Sequence, residues 1–232
     1  MEKINWGIIG CGDVTELKSG PAFNKIKNSV LVAVMRRDGA KAQDYANRHG
    51  VSKWYDEAKL LINDPDINAI YIATPPSSHE LYTLAAIEAG KAVYVEKPMT
   101  INYASAERMM VTAAKKNIKL SVAHYRREQP KFKKIKELLD QGAIGKVRLA
   151  RLNFAQKPLT INDLNVPKTA WRVDPSVAGG GLFHDLSPHQ LDLMIYFFGN
   201  PKSASGAASS QGNLYNADDL VAGFIRFEND VI

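Results

Sequence analysis

The chain has 232 residues, of which 45% are hydrophobic and 23% charged, and its net charge is +6. This length suits one large globular domain or two small ones, and the positive charge favours an anionic ligand without identifying it. The single cysteine, Cys11, excludes an intrachain disulfide and a metal site built from cysteines. No apolar run approaches the roughly 20 residues of a membrane helix, and the first residues lack a signal-peptide pattern. We therefore expect a cytoplasmic protein.

The first predicted element is a buried strand, Ile4 to Ile9, which leads into a glycine-rich turn. The turn matches the dinucleotide fingerprint G-x-G-x-x-G, except that Thr15 replaces the third glycine. Gly10 permits the tight turn, Gly12 lets the backbone approach a pyrophosphate, and a small third residue serves helix packing. A plain glycine turn is the alternative. The predicted cofactor contacts of this turn are Gly10, Gly12, Asp13 and Val14.

The second predicted strand, Val30 to Met35, ends at Arg36-Arg37-Asp38. In NAD-binding units an acidic residue about 20 positions after the fingerprint accepts hydrogen bonds from the ribose hydroxyls. An arginine pair suits the 2′-phosphate of NADP instead, because a guanidinium binds phosphate bidentately. NADP is therefore the preferred prediction. Asp38 leaves NAD as an alternative cofactor. A further alternative is that both arginines are only solvated surface residues.

Strands and helices alternate as far as Ala123, which predicts a parallel, doubly wound α/β sheet of the Rossmann type. One apolar strand, Ala92 to Val95, runs into Glu96-Lys97-Pro98. Open α/β sheets bind their ligands beyond the carboxyl ends of the strands. This position predicts that Lys97 is catalytic.

The second half begins with a domain crossover at about His124 and an amphipathic helix from Pro130 to Gln141. The lysines of this helix are interpreted as a solvated face, since no nucleic-acid-binding module accompanies them. A half-buried strand is predicted from Lys146 to Phe154, and a long loop from Ala155 to Ala170. Arg172 follows this loop, either as an anchor for a phosphate or a polyol or as a surface arginine beside Trp171.

A triple glycine, residues 179–181, precedes Asp185 and His189. The two residues are four apart, which predicts one helical face, and Pro188 requires the helix to begin near His184 or Asp185. Asp192 lies one turn further, so a metal site is a spatial alternative. Later strands are predicted from Ser203 to Ser210 and from Leu220 to Phe227, with Val231-Ile232 opening another.

Together these motifs resemble the glucose–fructose oxidoreductase / inositol dehydrogenase (Gfo/Idh/MocA) family. The resemblance rests on the fingerprint, Ala73-Thr74-Pro75 with His79, Ala89-Gly90-Lys91, Glu96-Lys97-Pro98, and the later Asp185 and His189 in a D-x-x-x-H pattern. It implies a Rossmann domain over residues 1–123, followed over residues 124–232 by an α+β domain with an open, mostly antiparallel sheet. It also implies NADP or NAD as cofactor and a sugar-like or cyclic polyol substrate.

The resemblance further implies the roles of the site residues. Lys97 and His189 would act on the same substrate oxygen, Lys97 by polarising it and His189 by transferring its proton, while Asp185 would orient the substrate or the histidine. The family uses no metal, so no metal site is predicted. The remaining cofactor contacts expected are Arg36, Arg37, Thr74, Pro75, His79, Glu96, Lys97 and Arg172.

Two other functions stay open: an NADP-binding ligand sensor without turnover, and a glycosidase that retains its NAD. Against the family pattern, the later strands of the second sheet are missing after Ile232, so we expect that domain to be truncated. The family's sheet face makes subunit contacts, which predicts a homo-dimer or homo-tetramer for the full-length protein. No nucleic-acid or membrane partner is expected.

Overall fold

The computed structural model describes residues 3–232, and the chain divides into two compact units between Ala123 and His124. The first unit is built on one parallel sheet. Its strands are β1 (Ile4–Ile9), β2 (Ser29–Met35), β3 (Lys53–Tyr55), β4 (Ala69–Ile72), β5 (Ala92–Val95) and β6 (Leu120–Val122). Their order across the sheet is β3-β2-β1-β4-β5-β6, which confirms the predicted doubly wound fold.

Helices and short 3₁₀ turns connect these strands. The helices are α1 (Asp13–Leu17), α2 (Gly39–His49), α3 (Ala58–Ile62), α4 (His79–Glu88) and α5 (Tyr103–Lys115), with 3₁₀ turns at Gly20–Asn24 and Pro76–Ser78. Local chemistry sets several ends: the Asn102 side chain accepts a hydrogen bond from Ser105 N at the start of α5, and Gly50 ends α2 with φ +65°.

Both faces of the sheet are buried, as parallel sheets require. Successive side chains of a strand point to opposite faces, so Ile8 and Tyr71 join one apolar cluster while Ile9 and Ile70 join the other. The second cluster continues into α3, α4 and α5 through residues such as Met109. All four residues of β4 are buried, which places this strand at the centre of the unit.

The strand order reverses between β1 and β4, and this reversal positions the candidate site. The backbone of Gly10 donates to the Met35 carbonyl at 2.9 Å, and Ala73 donates to the Ile9 carbonyl at 2.9 Å. The ends of β1, β2 and β4 are therefore tied together at one edge of the sheet. Ligands of open α/β sheets bind in the crevice at such a reversal.

The second unit consists of short helices and one antiparallel pair of strands. The elements are a 3₁₀ turn at Tyr125–Glu128, α6 (Pro130–Asp140), α7 (Ile161–Leu164), α8 (Pro167–Ala170), a 3₁₀ turn at Trp171–Val173, α9 (Pro175–Ala178), α10 (Leu182–Leu186), α11 (Pro188–Phe198), β7 (Pro201–Ser209) and β8 (Leu220–Phe227). Throughout residues 3–232, every helix is too short or too polar to cross a membrane.

Three predictions about this unit were wrong. Residues 146–154 form no strand, although Ala150 N and the Arg148 carbonyl both bond Ile232. The predicted loop from Ala155 to Ala170 contains α7 and α8, and Thr160 forms a reciprocal capping box with Asp163 at the start of α7. The predicted single helix through Asp185 and His189 is two helices, because Pro188 has no N–H to continue the hydrogen-bond ladder of α10.

Candidate functional site

The fingerprint turn after β1 has the backbone geometry that its glycines predict. Gly10 has φ +93°, and a Cβ placed there would lie 2.7 Å from Thr74 Cγ2 and 3.0 Å from the Ala73 carbonyl carbon. A Cβ on Gly12 would meet no atom of residues 3–232 within 4 Å. Gly10 thus allows the ends of β1 and β4 to lie in close contact. Gly12 leaves open space beside the backbone, where a pyrophosphate can approach.

Gly10→Ala is expected to destabilise the first unit by about 2–4 kcal/mol, because it adds a steric clash to the strain of a positive φ. Gly90→Ala is the matched control: its φ is +73°, but a Cβ there meets no described atom within 4 Å. The control should cost only about 1 kcal/mol. Urea denaturation of both variants measures the difference, and equal losses would show that the contact with Thr74 is not tight.

The residue in place of the third glycine packs inside the fold. Thr15 is fully buried; its hydroxyl donates to the Gly12 carbonyl at 2.7 Å, and its carbonyl accepts from Tyr45 Oη at 2.8 Å. Glu16 bonds Arg48 and His49 of α2, and the Arg48 guanidinium holds the Glu16 pKa at about 2. Helix α1 is therefore fixed against α2 directly behind the glycine turn.

Arg36, a predicted phosphate contact, lies against the fingerprint turn. Its Nη1 donates to the Cys11 carbonyl at 3.3 Å, while Arg37 is exposed. Asp38 caps α2 by accepting from Lys41 N at 3.2 Å, and the bonds to Lys41 lower its pKa. Burial raises the pKa of the Cys11 thiol to about 11, so the thiol stays protonated and unreactive at neutral pH.

These observations fit a bound dinucleotide. The open side of Gly12 is a cradle that a Cβ would fill, and a guanidinium stands beside the same turn. Asp13 is exposed and Val14 half-buried at the start of α1, within the predicted contact segment. The guanidinium N–H groups of Arg36 suit an anionic phosphate ligand.

His79 connects the two loops that follow β4 and β5. Its ring is fully buried, with Nε2 2.7 Å from the Thr74 carbonyl and Nδ1 3.0 Å from the Pro98 carbonyl. Burial lowers the pKa of this imidazole. Thr74 and Pro75 remain half-buried and bond Ser78. His79 therefore ties these two loops together, and a direct contact with the cofactor stays a prediction.

Glu96 and then Lys97 follow the end of β5 at the same sheet edge, and both are half-buried. Glu96 accepts from Tyr71 Oη at 2.5 Å and from the Lys97 backbone N–H at 3.1 Å. The Lys97–Pro98 peptide bond is cis. Sequence reasoning missed Tyr71, although a tyrosine inside the apolar run Ala69–Ile72 signals a buried hydroxyl that needs a partner.

In the second unit, Arg172 and Asp185 form an ion pair. Arg172 Nη1 donates to Asp185 Oδ2 at 2.7 Å, and its guanidinium lies over the Trp171 ring at 4.6 Å. Asp185 is 6% exposed. This pairing was not among the two predicted alternatives for Arg172, and a ligand contact of Arg172 stays a prediction.

His189 is a buried histidine in the first turn of α11. The centroid of its ring lies 5.2 Å from that of the Tyr125 ring and 6.3 Å from that of the His124 ring, both in an edge-on arrangement. Asp185 lies in α10, so the two residues do not share one continuous helix face. This aromatic surrounding leaves His189 partly shielded from water, a setting in which imidazole can exchange a proton with a bound hydroxyl.

The two carboxylates that a metal site would use are both paired with arginines. Arg127 Nε donates to both carboxylate oxygens of Asp192 at 2.7 Å, and Asp185 pairs with Arg172. Among residues 3–232, no group of three His, Cys, Asp or Glu side chains is arranged to hold a metal ion.

Two sequence families match the two halves of the chain. Residues 4–124 match the family described as oxidoreductase family, NAD-binding Rossmann fold. Residues 132–232 match the GFO/IDH/MocA C-terminal domain. Together these matches cover both compact units.

Three curated relatives align along almost the whole chain. Oxidoreductase P35 of Formosa agariphila is 49% identical over 99% of this chain and 70% of its own length. Trans-1,2-dihydrobenzene-1,2-diol dehydrogenase of Oryctolagus cuniculus is 31% identical over 98% of this chain and 65% of its own. The 1,5-anhydro-D-fructose reductase of Ensifer adhaerens is 28% identical over 98% and 67%. The chain thus spans about two thirds of the length of these relatives.

Proposed function

Because the chain belongs to the Gfo/Idh/MocA family of NAD-binding oxidoreductases, we propose that it transfers a hydride between a nicotinamide and a CH–OH carbon of a sugar-like or cyclic polyol. The observation that carries the proposal is the placement of the fingerprint turn and Lys97 at one carboxyl edge of a single parallel sheet. Relatives named for a cyclic diol and an anhydro-sugar support the substrate class.

Residues 1–123 would hold the cofactor and residues 124–232 would contribute to substrate binding and oligomerisation. Gly10, Gly12, Asp13 and Val14 would face the pyrophosphate, and Arg36 with Arg37 the adenosine side. A homo-dimer or homo-tetramer is part of the proposal, because Leu220 and Phe224 of β8 are 43% and 54% exposed. Analytical ultracentrifugation of the protein would test it; a monomer at micromolar concentration would reject it.

In the proposed mechanism, bound nicotinamide supplies the hydride acceptor or donor. Lys97 binds the reacting substrate oxygen and stabilises the negative charge that develops on it. His189 takes the hydroxyl proton during oxidation and returns it during reduction. Asp185, held by Arg172, orients the substrate or the histidine.

NADP is the proposed cofactor in preference to NAD, because Arg36 stands at the fingerprint and Asp38 is engaged as a helix cap. Arg36→Ala is expected to lower kcat/KM for NADP by about 10- to 100-fold, since charge-assisted hydrogen bonds contribute about 1.5–3 kcal/mol. With NAD the value should stay within about twofold. Lys41→Ala is the matched control, since it removes a nearby exposed charge that pairs with Asp38. Equal losses in both variants would mean that net charge alone selects NADP.

The test of function is a screen of cyclic diols, sugars and keto-sugars with NADP and NADPH, read by absorbance of the reduced nicotinamide. The proposal predicts substrate-dependent net oxidation or reduction. A ligand sensor would bind NADP without turnover, and an NAD-retaining glycosidase would hydrolyse glycosides without net cofactor change. Either result would reject the proposed reaction.

A further inference from the structure

We propose that Tyr71 is a positioning residue for Lys97 and acts through the carboxylate of Glu96. The inference rests on the proposed oxidoreductase function, because it concerns how the side chain that polarises the substrate is held. Tyr71 lies in β4, at the centre of the sheet, and is 0% exposed. It therefore cannot meet a ligand itself.

A continuous set of hydrogen bonds leads from Tyr71 to Lys97. Tyr71 Oη donates to Glu96 Oε1 at 2.5 Å, and Glu96 Oε2 accepts the Lys97 backbone N–H at 3.1 Å. The Glu96 backbone N–H donates to the Ile72 carbonyl at 2.9 Å. Both carboxylate oxygens and the backbone of Glu96 are thus engaged, which leaves this residue a single orientation.

Packing fixes the Tyr71 hydroxyl, where this series of hydrogen bonds begins. The Tyr71 ring stacks on the Tyr94 ring with 5.3 Å between the ring centroids, and it lies against the Phe23 ring with 5.3 Å between the centroids. Burial, together with the neighbouring Glu96 carboxylate, raises the pKa of the Tyr71 phenol, so it stays protonated and donating at neutral pH. A buried, immobile donor gives the half-buried carboxylate a defined anchor.

The consequence for catalysis follows from the length of the lysine side chain. The ammonium of Lys97 stands at the end of a flexible four-carbon stem, so its aim depends on how firmly its backbone is held. A misplacement of about 1 Å can lower a rate by as much as about 10²-fold. The Tyr71–Glu96 bond limits this misplacement at the residue directly before Lys97.

Tyr71→Phe removes the hydroxyl and keeps the ring. It is expected to lower kcat about tenfold while the Kd for NADPH, measured by fluorescence, stays within about twofold. Tyr55→Phe is the matched control, because Tyr55 Oη donates to Asp64 Oδ2 at 2.9 Å in the same unit, far along the chain from Lys97. It removes the same type of bond, and its kcat should equal that of the wild type. Equal kcat losses in the two variants would overturn the proposal.

A double-mutant cycle tests whether Tyr71 acts through Glu96. If it does, Tyr71→Phe has no further effect on kcat once Glu96 is replaced by alanine. Independent effects that multiply in the double variant would contradict the proposed route.

An amide measurement tests the same contact without turnover. Glu-Lys occurs twice in the sequence, at Glu2-Lys3 and Glu96-Lys97. Protein with ¹³C-carbonyl glutamate and ¹⁵N-lysine therefore gives two coupled amide signals, and Lys97→Arg identifies the second. Tyr71→Phe should speed exchange of the Lys97 amide at least about tenfold, while Tyr55→Phe leaves it unchanged. Unchanged exchange in Tyr71→Phe would overturn the proposal, whereas a wild type without turnover would reject the proposed function instead.

Discussion

Replacement of Lys97 by alanine is expected to lower kcat by on the order of 10²-fold or more while the Kd for NADPH stays nearly unchanged. The reason is that the ammonium stabilises negative charge on the substrate oxygen in the transition state, and a water molecule cannot replace a fixed charge there. Steady-state kinetics with a substrate from the screen, combined with fluorescence titration of NADPH, measures both quantities.

The control is Lys116→Ala, which removes a lysine charge of the first unit from an exposed pair with Glu88 at 2.7 Å. Exposed pairs of this type contribute about 0–1 kcal/mol to stability, so both stability and kcat should change little. Unchanged turnover in Lys97→Ala would remove Lys97 from the mechanism. A large rise in the Kd for NADPH would instead assign the lysine to cofactor binding.

His189→Ala is expected to lower kcat by a similar factor, about 10²-fold or more, because no proton acceptor would remain for the substrate hydroxyl. His189 is 7% exposed, so its truncation opens a cavity that also destabilises the second unit. Added imidazole should therefore restore part of kcat, as the free base can occupy that space. Recovery of activity measured against imidazole concentration separates lost chemistry from lost packing.

His184→Gln serves as the control for this variant, since it removes an imidazole from α10 in the same unit. Its kcat should remain within about twofold of the wild-type value. If His189→Ala keeps full turnover, proton transfer belongs to another group. If thermal unfolding shows that the variant is unfolded, His189→Gln, which keeps most of the volume, provides the same comparison.

The first unit was largely predictable because local signals there agree with one another. The apolar run before Gly10, the fingerprint and the alternation of strands with helices each follow from short-range chemistry. Even the substitution of Thr15 for glycine was correctly interpreted as packing, since its side chain is fully buried. What the sequence could not reveal is that Gly20 makes this possible: a Cβ there would lie 2.3 Å from the Thr15 carbonyl oxygen.

The second unit was less predictable because its elements are short and depend on distant partners. The alternating pattern of residues 146–154 indicated a strand, yet strand formation also needs a neighbouring strand. Within residues 3–232, only Arg148 and Ala150 of this segment form backbone hydrogen bonds to another segment, at Ile232. Pro188 was expected within the first turn of a single helix beginning near His184 or Asp185. In the structure it is the first residue of α11, and the separate helix α10 carries Asp185.

Side-chain partners were the least predictable part of the site. The sequence left Arg172 either as a ligand anchor or as a surface arginine beside Trp171, whereas the structure pairs it with Asp185, 13 residues away. Likewise His79 was expected to contact the cofactor, and the sequence did not show that its ring is buried between the Thr74 and Pro98 carbonyls. Both pairings depend on how loops meet in space, which residue spacing alone does not encode.

The central claim, hydride transfer to or from a carbinol carbon, is tested most directly with NADPH that carries deuterium at C4. Two preparations, deuterated on opposite faces of the ring, are each incubated with the protein and a carbonyl substrate, and the product is analysed by mass spectrometry. Hydride transfer from one face of the ring predicts that one preparation places one deuterium on the product carbon and the other none. Product without deuterium from both preparations, or no reduction of any substrate, would contradict it.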